Sequence, residues 1–159
     1  MARLPRNLLE DGFFHVTARA VDGTALFRDD ADRWEFVEEL TRCATGFFWI
    51  CHAYCLMTTH YHLLLEATRE SMSRGMHRLN GLYAQRFNAR HKRRGHLFEG
   101  RFQSYVIASE EHMAAALVYV MNNPVRAGLC HRADEWPWSG VSLPNKGQSL
   151  VRGSTRACP

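Results

Sequence analysis

The chain has 159 residues, 46% of them hydrophobic, with a net charge of +4 and a pI near 9.0. That length predicts one domain with enough apolar material for a core, and with no run of 18 apolar residues it excludes a helix that crosses a membrane. The opening MARLPRN enters a charged segment without a visible secretory signal; the five cysteines, Cys43, Cys51, Cys55, Cys130 and Cys158, are odd in number and form no C-x-x-C pair, which reads as reduced thiols of a cytoplasmic protein and not as a disulfide frame or zinc finger.

Residues 13–20 alternate and are β-prone, which predicts a first strand with Phe14, Val16 and Ala18 on one face and Phe13, His15, Thr17 and Arg19 on the other. A helix follows over 29–45, capped by Asp29 or Asp30, with Trp34, Val37 and Leu40 as its apolar stripe and Gly46 as its stop. Two strands come next, at 47–57 and 60–67, joined by a turn near Thr58-Thr59; Cys51 and Cys55 are expected on one face of the first of them. Ser71 can cap a second helix to about residue 90, with Met72, Met76, Leu79, Tyr83 and Phe87 at core spacing. A fourth strand spans 101–108, and Ser109 opens a last helix with Glu110 and Glu111 in its first turn. That helix is expected to stop at Asn123, because the residue before Pro124 is pushed out of the helical region. Trp136-Pro137-Trp138 reads as a docked apolar clip. From Gly140 on there is no periodicity, so residues 1–139 are assigned to the domain and 140–159 to a disordered tail. The order of elements fits a ferredoxin-like α+β fold, an antiparallel sheet with helices on one face and a site on the other.

Three stretches carry chemistry. In Thr59-His60-Tyr61-His62-Leu63-Leu64 the period of two puts His60 and His62 on one face, able to grip Mg²⁺, Mn²⁺ or Zn²⁺, with Tyr61, Leu63 and Leu65 on the other. Two histidines on a solvated sheet face are the plain alternative. Between 86 and 101 stand Arg86, Arg90, Lys92, Arg93, Arg94 and Arg101 against Glu99 alone, interleaved with Phe87 and Phe98. Cations beside aromatic rings suit the phosphates and unpaired bases of nucleic acid. In the last helix Tyr119 and Asn123 are one turn apart on one face, so a phenol and an amide oxygen can meet one target. Metal-spaced histidines, a basic surface and a helical tyrosine together suit phosphodiester transfer through a phosphotyrosine, in which a divalent ion polarises the scissile phosphate and the covalent bond conserves the energy of the broken ester.

At this point the chain resembles the HUH single-tyrosine transposases of the IS200/IS605 type, and more closely their REP-associated branch. The resemblance rests on Phe14-His15-Val16-Thr17-Ala18-Arg19, Leu26-Phe27-Arg28-Asp29, His60-Tyr61-His62-Leu63-Leu64, the run from Arg94 to Phe102, the run from Tyr119 to Leu129, and Trp136-Pro137-Trp138-Ser139. It implies a ferredoxin-like fold, a Mg²⁺- or Mn²⁺-dependent nuclease and strand transferase, and single-stranded DNA with hairpins as partner, handled by a monomer or homodimer. Tyr119 is then the nucleophile that takes the 5′-phosphate and frees a 3′-OH; His60 and His62 are metal ligands and Asn123 the third. DNA contacts are expected from Arg19, Arg86, Arg90, Lys92, Arg93, Arg94, Arg101 and Arg126. Thr58-Thr59 stand where the family commonly shows Pro-Asn, which alters the turn and removes no ligand. Of the other tyrosines, Tyr61 faces away from the histidines, Tyr83 lies on an apolar stripe, and Tyr54 and Tyr105 sit in strands without a polar partner at matched spacing. A non-cleaving DNA-binding module, or a metallohydrolase with Tyr119 merely structural, are the rival readings.

Overall fold

The structure is a computed structural model, and it describes residues 11–141. Strand β1 (Gly12–Arg19) leads to helix α1 (Asp30–Gly46), strands β2 (Ile50–Leu56) and β3 (His60–Ala67), helix α2 (Arg69–Arg90), strand β4 (Gln103–Ile107), helix α3 (Glu110–Arg126) and a short strand β5 (Ser139–Val141). The sheet order is β4-β1-β3-β2-β5, and every pairing is antiparallel. The expected α+β, ferredoxin-like order is therefore present, extended by β5. Gly140 and Val141 belong to that strand, so order continues two residues beyond the expected boundary; the rest of the anticipated tail lies outside the described residues.

The alternation of β1 and β3 divides the molecule into two cores. Phe14, Val16, Ala18, Tyr61, Leu63 and Leu65 pack against α1 and α2. On the other face Leu64, Ala53, Cys55, Met57 and Ile107 meet Ala116 and Val120 of α3. Helices were expected on one face only; α3 instead lies across the other, because Ala116 and Val120 give it an apolar stripe of its own to bury. The cysteines of β2 differ too. Register shifts between Cys51 and Ala53, a β-bulge at His52 that reverses the alternation, so Cys51 joins the α1/α2 core and Cys55 the α3 core.

Local signals explain the helix ends. Asp29 accepts the Asp32 amide at 3.0 Å and starts α1. For α2 the cap is Thr68, which accepts the Ser71 amide at 3.1 Å, so the helix starts ahead of the expected Ser71. Ser109 caps α3 through the His112 amide, as expected. Pro124 does not end α3: it sits in the last turn, buried, and the helix runs on to Arg126. The Asn122 and Asn123 side-chain amides donate to the carbonyls of Val118 and Tyr119, at 3.0 and 2.8 Å, and bind that turn to the one before it. In α1 the core stripe is Phe36, Leu40, Cys43 and Ala44; Trp34 lies at the rim, 37% exposed, against Trp138. The Trp136-Pro137-Trp138 clip docks as expected. Trp136 Nε1 donates to Leu56 O, Leu56 N to Trp138 O, and the Arg33 guanidinium faces both indoles at 5.7 Å.

Candidate active site and nucleic-acid interface

His60 and His62 emerge from β3 on the face covered by α3, with ring centroids 5.0 Å apart. The pairing of β1 with β3 sets Arg19 opposite His60 and Thr17 opposite His62. His62 is 5% exposed. Its Nδ1 is 2.9 Å from His15 Nε2, and its Nε2 is buried without a hydrogen-bond partner. A buried unpartnered nitrogen is costly unless something else occupies its lone pair. Burial, then the nearby His15, His60 and Arg19, pulls the His62 pKa down to about 3; burial and Arg19 lower that of His60. Both rings are therefore neutral near pH 7, the form in which imidazole ligates a metal.

The single helix face of α3 brings the third group in. Tyr119 is 42% exposed, with its ring 5.8 Å from that of His62 and 5.9 Å from that of His15, edge-on to both. Its hydroxyl makes no hydrogen bond to the described residues. One turn on, Asn123 commits Nδ2 to the Tyr119 carbonyl, which leaves Oδ1 as the oxygen it can offer. Two turns on, the Arg126 guanidinium lies 5.2 Å from the Tyr119 ring centroid. That approach needs the helical turn past Pro124. Among the described residues no three His, Cys, Asp or Glu side chains cluster as a metal site; a set of His60, His62 and Asn123 Oδ1 is two imidazoles completed by an amide oxygen, and the unpartnered His62 nitrogen fits it.

The other tyrosines are accounted for. Tyr61 is fully buried and donates to Asn80 Oδ1 at 2.6 Å; Tyr83 donates to Leu26 O at 2.6 Å; burial pushes both phenols well above their usual range. Tyr105 donates to Gln103, and Tyr54 belongs to the α1/α2 core.

The basic window divides in two. Arg86 pairs with Glu35 and with Glu39, the latter at 3.2 Å; Arg90 pairs with Asp29 at 2.7 Å and Asp32 at 2.5 Å. Arg93 donates to Asn88 and to the carbonyls of Gly95 and His96. Arg86 and Arg90 join α2 to α1, on the side of the sheet away from the histidines, and Arg93 closes the turn after α2. The acidic partners of Arg86 and Arg90 come from α1 and its N-cap, Asp29, Asp32, Glu35 and Glu39, and not from Glu99. Lys92, Arg94 and Arg101 are exposed and ion-pair with none of the described residues. Their loop runs beside the end of β1, where Glu99 N donates to Arg19 O and Val21 N to Leu97 O. Free cations thus continue from Arg126 and Arg19 at the histidines onto the loop.

His15 is a site residue that the sequence pattern alone does not single out. Strand alternation places it with Thr17 and Arg19, but only the register of β1 on β3 brings it to His62.

The sequence pattern of the family described as Transposase IS200 like matches residues 11–123, the span that holds His60, His62, Tyr119 and Asn123. No curated protein matches the sequence. Among solved structures the chain is similar to a REP-associated tyrosine transposase bound to a REP hairpin, with a TM-score of 0.72 at 12% identity over 99% of this chain and all of that one. It is also similar to a candidate transposase from Deinococcus radiodurans R1, with a TM-score of 0.50 at 21% identity over 76% of this chain and 97% of the other. At these identities the structural likeness speaks for the fold.

Proposed function

Because the chain belongs to the IS200-like transposase family, a family of DNA transposases, we propose that it cuts and rejoins single-stranded DNA at hairpins of the REP kind, using Tyr119 as nucleophile and Mg²⁺ or Mn²⁺ held by His60, His62 and Asn123. The observation that carries this is the half-exposed Tyr119 ring set against His62, whose buried Nε2 has no partner. A divalent ion, when bound, would polarise the scissile phosphate and offset its developing charge. The chain's own residues do the rest. Arg19 and Arg126 attract the phosphate to the histidine face. Helix α3 presents the phenol oxygen, which bonds to phosphorus as the bond from phosphorus to the 3′ oxygen breaks. The phenol loses its proton, the departing 3′ oxygen gains one, and the 5′-phosphate stays on Tyr119. Attack by a 3′-OH reverses the step without ATP. The similarity to a structure bound to a REP hairpin supports hairpin DNA as substrate, and the unpaired Lys92, Arg94 and Arg101 suit its backbone. A cytoplasmic location suits access to such DNA, and among the described residues no helix is long and apolar enough to cross a membrane.

The test is incubation with labelled single-stranded hairpins and Mn²⁺, followed by mass-spectrometric mapping of any DNA-linked peptide. A covalent adduct on Tyr119, absent from Tyr119→Phe while hairpin binding persists, is expected. An adduct on another tyrosine, or undiminished cleavage by Tyr119→Phe, overturns the assignment.

A further inference from the structure

If His62 is to ligate a metal through Nε2, its proton must sit on Nδ1, and which nitrogen carries it is set by the hydrogen bond that the other makes. In metal sites that partner is most often a carboxylate, a backbone carbonyl or water. Here an imidazole occupies the place: His15 Nε2 is 2.9 Å from His62 Nδ1, with ring centroids 5.1 Å apart. His15 stands opposite Leu64 in the register, so it reaches His62 diagonally across the strands. Thr17, which does stand opposite His62, is turned away; its hydroxyl donates to Tyr61 O at 2.8 Å. No other described residue hydrogen-bonds the His62 ring. His15 is itself wedged between Tyr105 and Tyr119, at 6.2 and 5.9 Å between ring centroids, which fixes its own orientation.

We propose that His15 is a positioning residue for His62: its Nε2 accepts a hydrogen bond from His62 Nδ1–H and so holds the tautomer in which His62 Nε2 is bare. The inference rests on the metal-ligand reading of His62. The protons balance with one on each ring, His62 on Nδ1 and His15 on its own Nδ1. Through its second neighbour, the Tyr119 ring, the same side chain ties the ligand on β3 to the proposed nucleophile on α3.

The tautomer can be read without metal. Long-range imidazole ¹H–¹⁵N spectra of the ¹⁵N-labelled full chain should show His62 protonated on Nδ1. In His15→Phe, which keeps a ring between the two tyrosines but offers no acceptor, the His62 proton should move wholly or partly to Nε2, and the affinity for Mn²⁺, titrated by electron paramagnetic resonance, should fall ~10–100-fold. His15→Gln, whose Oε1 can accept, should recover most of both. An unshifted amide spectrum confirms that each variant is folded. The proposal is overturned if the parent carries the His62 proton on Nε2, or if His15→Phe keeps the parent's tautomer and Mn²⁺ affinity. A His62→Ala variant that binds Mn²⁺ as tightly as the parent sinks the metal-site reading instead, and the metal-free spectrum tells the two failures apart.

Discussion

At the scale of the residue, the arrangement assigns different losses to different side chains. His60 and His62 belong to the proposed metal site and not to the basic loop, so His60→Ala and His62→Ala should each abolish Mg²⁺- or Mn²⁺-dependent cleavage while hairpin affinity, measured by fluorescence anisotropy, stays within a few-fold of the parent. A variant that cuts normally would remove that histidine from the site. His60, His62 and Tyr119 were legible in the sequence because their geometry is local: a strand period of two and a helix turn of four need no partner to be known. His15 was not. Its role depends on which residue of β3 lies beside it, and that register is set by the whole hydrophobic pattern of both strands. The acidic partners of Arg86 and Arg90 are hidden for the same reason, since a window of sequence shows only nearby countercharges.

At the scale of the element, α1 and α2 are joined by charge as well as by apolar packing. Glu39, 1% exposed, meets Arg42, Arg78 and Arg86, and Asp32, 2% exposed, meets Arg90 and His91. The Arg90 guanidinium, and then the Asp32 amide, hold the Asp29 carboxyl well below the usual carboxylate range. Its folded pKa is thus lower than its unfolded one, so the unfolded state takes up the proton first as pH falls. The stability it contributes is present above about pH 4 and is lost progressively below that. Asp29→Asn keeps a good helix cap and should flatten this part of the stability profile, as measured by urea unfolding between about pH 2 and pH 6. An unchanged slope would mean that the pair contributes nothing in solution. The packing between α2 and the segment just before β2 is also tight. A Cβ on Gly75 would lie 2.1 Å from Cζ2 of the fully buried Trp49. Gly75→Ala should therefore destabilise by about 1–3 kcal/mol, although alanine is the better helix former; a midpoint at or above the parent's would contradict it. The helices and strands themselves were legible from periodicity and caps. The passage of α3 through Pro124 was not, because it depends on burial of the proline ring and on two asparagine side chains donating one turn back.

At the scale of the whole molecule, the net charge of +4 understates how the cations are divided. One group is neutralised against α1; the other remains free along the histidine face and the loop after α2. Replacing Lys92, Arg94 and Arg101 with alanine should weaken hairpin binding and flatten its dependence on log salt by ~0.7 for each single-strand phosphate no longer neutralised. Arg86→Ala and Arg90→Ala should lower thermal stability and leave that slope unchanged. Equal slopes for both sets of variants would show that the free cations do not touch DNA. The bulge at His52 has a different kind of consequence: it is slack in an otherwise fully counted sheet. Cys51 stands opposite Leu65 and Ala53 opposite Leu64, so His52 is one residue more than the neighbouring strand requires. Deleting it would leave Cys51 and Ala53 adjacent in ordinary alternation, still facing α1 with α2 and α3 respectively. What disappears is a half-exposed pair with Glu66 and a ring contact with Phe13 on β1. Strand β3 holds no such reserve, since its register with β1 runs unbroken from Ala67 to His60. Deleting Leu64 there would either turn Glu66 into the α1/α2 core or roll His60 and His62 away from the helix that carries Tyr119. The shortened β2 should therefore yield folded, hairpin-binding protein and the shortened β3 should not, as soluble yield and circular dichroism would tell; equal outcomes would mean that the spare residue gives the sheet no tolerance.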